Sequence, residues 1–339
     1  MMKKYFSFLL SLVVLAMAFT ACDEEVKSPS QNPADAFAKK HDTALLLVTF
    51  GSTFEVPQKT FDGQKAFFQK EFPNADVYLS YTSRTIINRM QAQGKEFIPP
   101  AMWLQSFLKK NYKNVYVQSF HVIPGEEYTL LRDAYVKKEY NKQIEKVEKD
   151  LKEGAPRRNP AVLGHPLLFS DQDIQKVAKV LVDDNKEAIQ NGEAVAFMGH
   201  GNPEENYNYA NKKYKMLEEA MQKYAKETYG HGYVYVATVD YPEMLFAYLA
   251  GELKAVENQV KDKKIHLQPL MTIVGDHANN DMAGDYEKGE KDEDQSWKWQ
   301  LENKGWKVEA RMKGLGDYQE INAIYLEHLK EAIANGHKE

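Results

Sequence analysis

Short apolar runs alternate with longer helical stretches along nearly the whole chain, and that alternation leaves few folds open. Ala44-Leu-Leu-Leu-Val-Thr-Phe50, Asp76-Val-Tyr-Leu-Ser-Tyr81, Val115-Tyr-Val-Gln-Ser-Phe-His121 and Ala161-Val-Leu-Gly-His165 have the makeup of buried strands closed by turn residues. Helical patterning fills the gaps at 57–72, 86–93, 101–111, 126–153 and 171–191. The pattern then restarts, with strands at 194–198, 232–239 and 264–274 and helices at 204–228 and 242–258. Strands separated by helices must run parallel, joined by right-handed crossovers. The expected class is α/β, with two similar doubly wound parallel-sheet halves and a cleft between them. The halves are placed at 42–191 and 192–316, with an amphipathic helix at 317–339 packing back on the first.

Two strings place chemistry on this frame. Val195-Ala-Phe-Met-Gly-His-Gly201 and Leu270-Met-Thr-Ile-Val-Gly-Asp-His-Ala-Asn-Asn-Asp-Met-Ala-Gly284 each follow an apolar run with one histidine. A polar side chain just beyond the carboxyl end of a strand lies where open α/β sheets keep their sites. His200 and His277 are therefore expected to face one cleft. Two neutral imidazoles with a carboxylate make an open site for a borderline divalent metal.

Composition removes several alternatives. The chain has 339 residues, a net charge of −5 and a pI near 6.1, so no basic excess points to nucleic acid. No Gly-x-Gly-x-x-Gly or phosphate loop occurs, which leaves nucleotide binding unsupported. Lys3 and Lys4 precede an apolar stretch from Tyr5 to Phe19 and then Thr20-Ala21-Cys22. This is the makeup of an export signal, with the chain's one cysteine at a lipoprotein cleavage position. Phe19 departs from the aliphatic residue usual three places before such a cysteine. The expectation is a signal peptide at 1–21, lipidation at Cys22, a charged flexible tether at 22–41, and an exported lipoprotein of the cell envelope that meets the membrane through its lipid. With that thiol lipidated, disulfides and thiolate metal sites are excluded.

The strings also match a family pattern. Leu46-Leu-Val-Thr-Phe-Gly-Ser52, Val117-Gln-Ser-Phe-His-Val-Ile-Pro-Gly-Glu-Glu-Tyr128, Phe197-Met-Gly-His-Gly201, Val239-Asp-Tyr-Pro-Glu243 and the Gly-Asp-His-Ala segment around His277 resemble the anaerobic cobalt chelatases of the sirohydrochlorin cobaltochelatase type. These are class II chelatases with a ferrochelatase-like fold. The resemblance implies a divalent metal as substrate (Co²⁺, with Fe²⁺ or Ni²⁺ as sibling readings), a sirohydrochlorin-like tetrapyrrole, no nucleotide, and a metal held by His200, His277 and a carboxylate. His200 is then ligand and proton acceptor, and His277 the second ligand. The carboxylate position carries Asp240 where the family usually has glutamate, with Glu243 as the substitute.

Further candidates come from placement. Ser52 and Thr53, after the first strand, offer donors to a substrate carboxylate; Arg84 and Arg89 offer charge, and His121 faces the cleft from the first half or closes a turn. Asp276 and Asp281 orient His277 or cap its turn. His165, the acidic stretch 285–294, Trp297 and Trp299 read as structural. The sequence is compatible with a homo-oligomer. The competing class is a non-catalytic tetrapyrrole- or metal-binding envelope lipoprotein.

Overall fold

The computed structural model describes residues 32–149, 151–152, 155 and 157–336. The segment expected to be a signal peptide, and Cys22 with it, lies outside the described residues. The chain divides after Ala38. What is described before that point is a 3-10 turn, Pro33–Ala36, capped by Asn32, whose Oδ1 accepts from the Ala34 N–H at 3.0 Å.

From Lys39 onward two four-stranded sheets carry the fold. The first holds β1 (Thr43–Thr49), β2 (Ala75–Tyr81), β3 (Asn114–Ser119) and β4 (Val162–Gly164), all parallel in the order β2-β1-β3-β4. The second holds β5 (Ala194–Gly199), β6 (Val234–Thr238), β7 (Lys264–Pro269) and β8 (Lys307–Ala310), all parallel in the order β6-β5-β7-β8. The two orders are the same pattern repeated. In each, the first strand sits between the second and third, so the connections leave it in opposite directions. That is the switch point at which doubly wound sheets open a crevice.

The helices between the strands are α1 (Glu55–Glu71), α2 (Arg84–Ala92), α3 (Pro100–Lys109), α4 (Glu126–Leu130), α5 (Lys142–Lys149), α6 (Asp171–Asp184), α7 (Lys186–Gln190), α8 (Asn208–Tyr229), α9 (Phe246–Val256), α10 (Trp297–Glu302) and α11 (Gln319–Asn335). Local chemistry sets their ends. Pro100 opens α3, Ser170 and Asp173 form a reciprocal capping box on α6, and Gly230 at φ +89 closes α8 in the left-handed region. The stretch expected as one helix over 126–153 is α4, then a π-helical run Leu131–Asn141, then α5. That expected over 171–191 breaks at Asn185, whose side chain donates to the Leu181 carbonyl at 2.9 Å.

Central strands are buried on both faces, as parallel sheets require. Leu45 to Val48 of β1 and every residue of β5 are buried. One apolar cluster joins residues of both sheets, among them Leu45, Phe120, Phe197 and Val236, and extends to Ile321 and Leu329 of α11. The outer face of the second sheet has its own cluster with Trp297, Leu301 and Trp306. Helix α11 returns to the first sheet: Tyr325 Oη donates to the Phe120 carbonyl at 3.1 Å, and Gln64 of α1 donates to Asn322 at 2.9 Å.

Two strand expectations change. The strand expected at 264–274 ends at Pro269, and Leu270 to Val274 forms a buried or half-buried loop. The Thr272 hydroxyl donates to the Phe120 carbonyl at 2.6 Å, so this loop floors the cleft rather than extending the sheet. Strand β8 went unread in the sequence because Lys307-Val-Glu-Ala is short, half-exposed and at a sheet edge.

Candidate active site

The carboxyl ends of β1 and β3 face those of β5 and β7 across a cavity of about 340 Å³. The halves are tied at its rim and floor. Asn202 Oδ1 accepts from the Glu126 N–H at 3.1 Å, and Tyr209 Oη donates to the Pro124 carbonyl at 2.8 Å.

His200 follows β5 directly and His277 stands in the loop after β7; both line the cavity. Their ring centres are 4.9 Å apart and their planes cross at 80°. Metal–imidazole bonds of about 2.0–2.1 Å put the centres of two rings sharing an ion about 4.5–6 Å apart, and the pair fits. Each ring has its Nδ1 committed. His200 Nδ1 lies 2.8 Å from the Gly201 carbonyl, and His277 Nδ1 lies 2.5 Å from Asp281 Oδ2. A ring that donates Nδ1–H to such an acceptor presents a lone pair at Nε2, the nitrogen a metal takes.

Backbone geometry holds the pair. Gly201 has φ +84, and a Cβ there would lie 2.7 Å from the Tyr241 backbone nitrogen. Only glycine lets the chain turn so close beside β6. The Asp240 N–H donates to the His200 carbonyl at 2.8 Å, which continues the β5–β6 ladder past the strand ends. His277 precedes a π-helical turn, Ala278–Met282, that sets Asp281 four residues on along the same face. The Asp281 hydrogen bond holds the His277 imidazole above its ordinary range; burial opposes this, and the Asp240 and Asp276 carboxylates support it.

The carboxylates divide the work. Asp240 Oδ2 lies 3.6 Å from His200 Nδ1, beyond hydrogen-bond reach, so it acts on His200 through charge, while the Gly201 carbonyl orients the ring. Glu243 accepts the Tyr241 hydroxyl at 2.6 Å and is exposed, which leaves Asp240 as the carboxylate of that segment beside the histidines. Asp276 lines the cavity next to His277 and accepts from Asn280 at 2.9 Å. Among the described residues no group of three or more His, Cys, Asp or Glu side chains is placed to hold a metal ion. The site is a histidine pair with carboxylates at hand, and it is open.

Ser52, Thr53 and His121 line the cavity from the first half. His121 Nδ1 is 2.8 Å from Ser119 Oγ, while its Nε2 is covered and without a hydrogen-bond partner. Burial lowers its pKa, against the pull of the Glu127 carboxylate. Arg84 does not line the cavity. It is the first residue of α2, exposed, and its charge acts on Tyr135. Arg89, about 140° further round the helix, lines the cavity instead. His165 lies outside the cavity, stacked on Phe169 with centres 3.6 Å apart and 3.2 Å from Tyr128 Oη. Residues 285–294 are exposed, Trp297 is core, and Trp299 lies against Tyr286.

Residues 43–334 match the family described as cobalt chelatase (CbiK). The chain belongs to that family. Among curated relatives, the chelatase family member from Salmonella typhimurium named sirohydrochlorin cobaltochelatase is 27% identical over 297 residues, covering 86% of this chain and 96% of that protein. Sirohydrochlorin cobaltochelatase CbiKC of Nitratidesulfovibrio vulgaris is 28% identical over 291 residues, covering 86% and 90%. The solved structure of SirB from Bacillus subtilis with Fe³⁺ superposes with a TM-score of 0.54 at 13% identity, over 87% of this chain and 97% of that one. This last likeness establishes the shared two-halved fold.

Proposed function

We propose that the protein is a sirohydrochlorin cobaltochelatase, placing Co²⁺ in a sirohydrochlorin-type ring with release of two protons. The observation that carries this reading is the pair of cavity-lining imidazoles, His200 directly after β5 and His277 beyond the loop that follows β7, with ring centres 4.9 Å apart. The curated relatives' names support the choice of ring and metal.

The ion is cargo, so it must be held and then surrendered. Two neutral nitrogens with a nearby carboxylate bind a divalent ion more loosely than thiolates do. Nε2 of His200 and Nε2 of His277 hold Co²⁺, the Gly201 carbonyl keeps the His200 ring in place, and the nearby Asp240 carboxylate offsets the ion's charge. As the ring nitrogens take the ion, each pyrrole N–H leaves its bonding pair on nitrogen and gives up a proton. The Nε2 lone pairs freed by the departing ion accept those protons, a task suited to an imidazole nitrogen, which binds metal or proton in turn. Proton and metal thus trade places on the same two side chains.

The protein is also proposed to be exported and lipid-anchored at the envelope, on the strength of Lys3, Lys4, the apolar run to Phe19 and Cys22. No helix of the described residues is long and apolar enough to cross a membrane. Incorporation of labelled fatty acid that Cys22→Ser abolishes tests the anchor.

Absorbance of sirohydrochlorin mixed with the purified protein and Co²⁺, Fe²⁺ or Ni²⁺ in turn tests the activity. Insertion of Co²⁺ faster than the spontaneous rate, lost in His200→Ala and in His277→Ala, is expected. Tight ring binding without acceleration would make the protein a carrier.

A further inference from the structure

One carbonyl beside the histidine pair serves two donors. The Gly201 oxygen accepts from Asn202 Nδ2 at 2.8 Å and faces His200 Nδ1 at the same distance. A peptide oxygen has two lone pairs and can hold both. The same peptide unit is fixed at its other end. There the Asn202 N–H donates to Asn211 Oδ1 at 2.9 Å, and Asn211 Nδ2 donates back to the Asn202 carbonyl at 2.7 Å. Gly201, at φ +84, has no Cβ to resist rotation of that peptide, so these polar contacts are what hold it. Asn202 is only 6% exposed and Asn211 is fully buried, so neither amide can exchange its partners for water.

The remaining end of the Asn202 amide reaches the first half, where its Oδ1 accepts the Glu126 N–H at 3.1 Å. Glu126 opens α4, and Gly125 at the cap position has no side chain to offer the leading N–H groups of that helix. An asparagine from the other half takes one of them instead. The approach is close: a Cβ on Gly125 would lie 2.2 Å from Asn202 Oδ1, and the three atoms nearest to it all belong to Asn202. Gly125 itself has φ −83 in the extended region, so its own backbone does not call for glycine; the neighbour does. The sense of the amide is fixed as well, because the Glu126 N–H can only donate and the Gly201 oxygen only accept. An unbroken line of contacts therefore runs from the Glu126 N–H through the Asn202 amide and the Gly201 carbonyl to His200 Nδ1.

We propose that Asn202 is a positioning residue for metal binding, which carries the docking of the first half at Gly125 to the His200 ring. This rests on the reading of His200 as a ligand of the metal. Accepting from Glu126 polarises the Asn202 amide and strengthens its donation to the Gly201 oxygen. That oxygen is the acceptor that keeps the proton on His200 Nδ1 and the lone pair on Nε2. Parting the halves at Gly125 frees the amide, lets the Gly201 peptide rotate and leaves the imidazole without a fixed tautomer. The other contact at this rim, from Tyr209 Oη to the Pro124 carbonyl, joins the same two segments without passing through the Gly201 carbonyl. It supplies the control.

Calorimetric titration with Co²⁺ and ¹⁵N spectra of the histidine rings in the metal-free full-length protein test this together. Asn202→Ala is expected to weaken Co²⁺ binding about tenfold, as loss of a group that supports a ligand does. Gly125→Ala, made in the other half, weakens it too, and the double variant is no weaker than Asn202→Ala because the added methyl enters the space the amide left. Tyr209→Phe leaves the affinity unchanged. In the spectra, recorded where imidazoles are neutral, the His200 signal is identified by its loss in His200→Gln. It is that of the Nδ1–H tautomer in the wild type and Tyr209→Phe, and of a tautomer mixture in Asn202→Ala and Gly125→Ala. Losses in the two variants that simply add, an unmixed Nδ1–H signal in both, or a mixture already in the wild type overturns the proposal. So does a Tyr209→Phe variant as weak as Asn202→Ala, which would make general loosening of the halves the cause. A wild type that binds no Co²⁺ overturns the metal reading of His200, and the tautomer, read without metal, still decides whether Asn202 sets the ring.

Discussion

The two halves share a strand order and a turn but not a site. After β1 the chain runs Phe50-Gly51, and after β5 it runs His200-Gly201, with both glycines at positive φ, +102 and +84. The Ser83 N–H donates to the Phe50 carbonyl as the Asp240 N–H donates to the His200 carbonyl. Phe50 and Ser83 therefore occupy in the first half the places that His200 and Asp240 occupy in the second. Phe120 and Leu270 likewise each donate to the first strand of their own sheet, at Val48 and Met198. One scaffold thus offers the same two positions twice, and only one copy carries a histidine and a carboxylate there. The other carries an aromatic ring and a hydroxyl, Phe50 and Ser83, which also line the cavity.

The largest expected effect follows from the asymmetry itself. His200→Ala and His277→Ala each lower the Co²⁺ insertion rate by at least about 10²-fold, as loss of a group that serves in proton transfer does. Asp240→Asn, which keeps the shape but removes the charge behind His200, lowers affinity for Co²⁺ by about tenfold, measured by calorimetry. Gly201→Ala and Gly51→Ala then compare the two turns. The first meets the Tyr241 backbone nitrogen and the second the Tyr81 ring. Neither the Tyr241 backbone nor the fully buried Tyr81 ring, stacked on Phe97, can swing aside, so both variants lower Tm, each with a cost of about 1–3 kcal/mol.

The smallest effect concerns a histidine that the first half uses for structure. Burial, helped by the charges of His328 and Arg132 and opposed by Asp173, pushes the His165 imidazole down from 6.5 to about 4. The unfolded chain binds the proton first, so the stability contributed by neutral His165 is present above pH 6.5 and is lost as the pH falls toward 4. His165→Phe keeps a ring against Phe169 and is expected to narrow the loss of Tm between those pH values. An unchanged loss would assign the acid sensitivity to other groups.

Much of this was legible in the chain. Long apolar runs such as Leu45 to Val48 declare buried parallel strands because both faces are covered, and the histidines after 199 and 276 stand out against strand and turn. Helix phase was harder to read. Capped by Ser83, α2 starts at Arg84, two residues ahead of the start expected at Ile86, with Arg84 turned away from the cavity and Arg89 lining it. The apolar run past Pro269 looked like strand because burial alone decides composition; Leu270 to Val274 is covered by the other half and by α11's approach, where Gly316 N–H donates to the Thr272 carbonyl at 2.8 Å. The π-helical run Leu131–Asn141 left no mark in the residue pattern, since its period differs too little from that of an α-helix over so short a span. The side of His200 on which Asp240 falls is a matter of ångströms that no spacing encodes.

The central claim is that two histidines from neighbouring strands share one Co²⁺. Calorimetric titration of Co²⁺ into the wild type, His200→Ala, His277→Ala and the double variant tests it most directly. One ion bound by the wild type, a loss of at least about tenfold in each single variant, and a double variant little worse than either single are expected of ligands that act as a unit. Single variants that keep wild-type affinity, or losses that simply add, would contradict it.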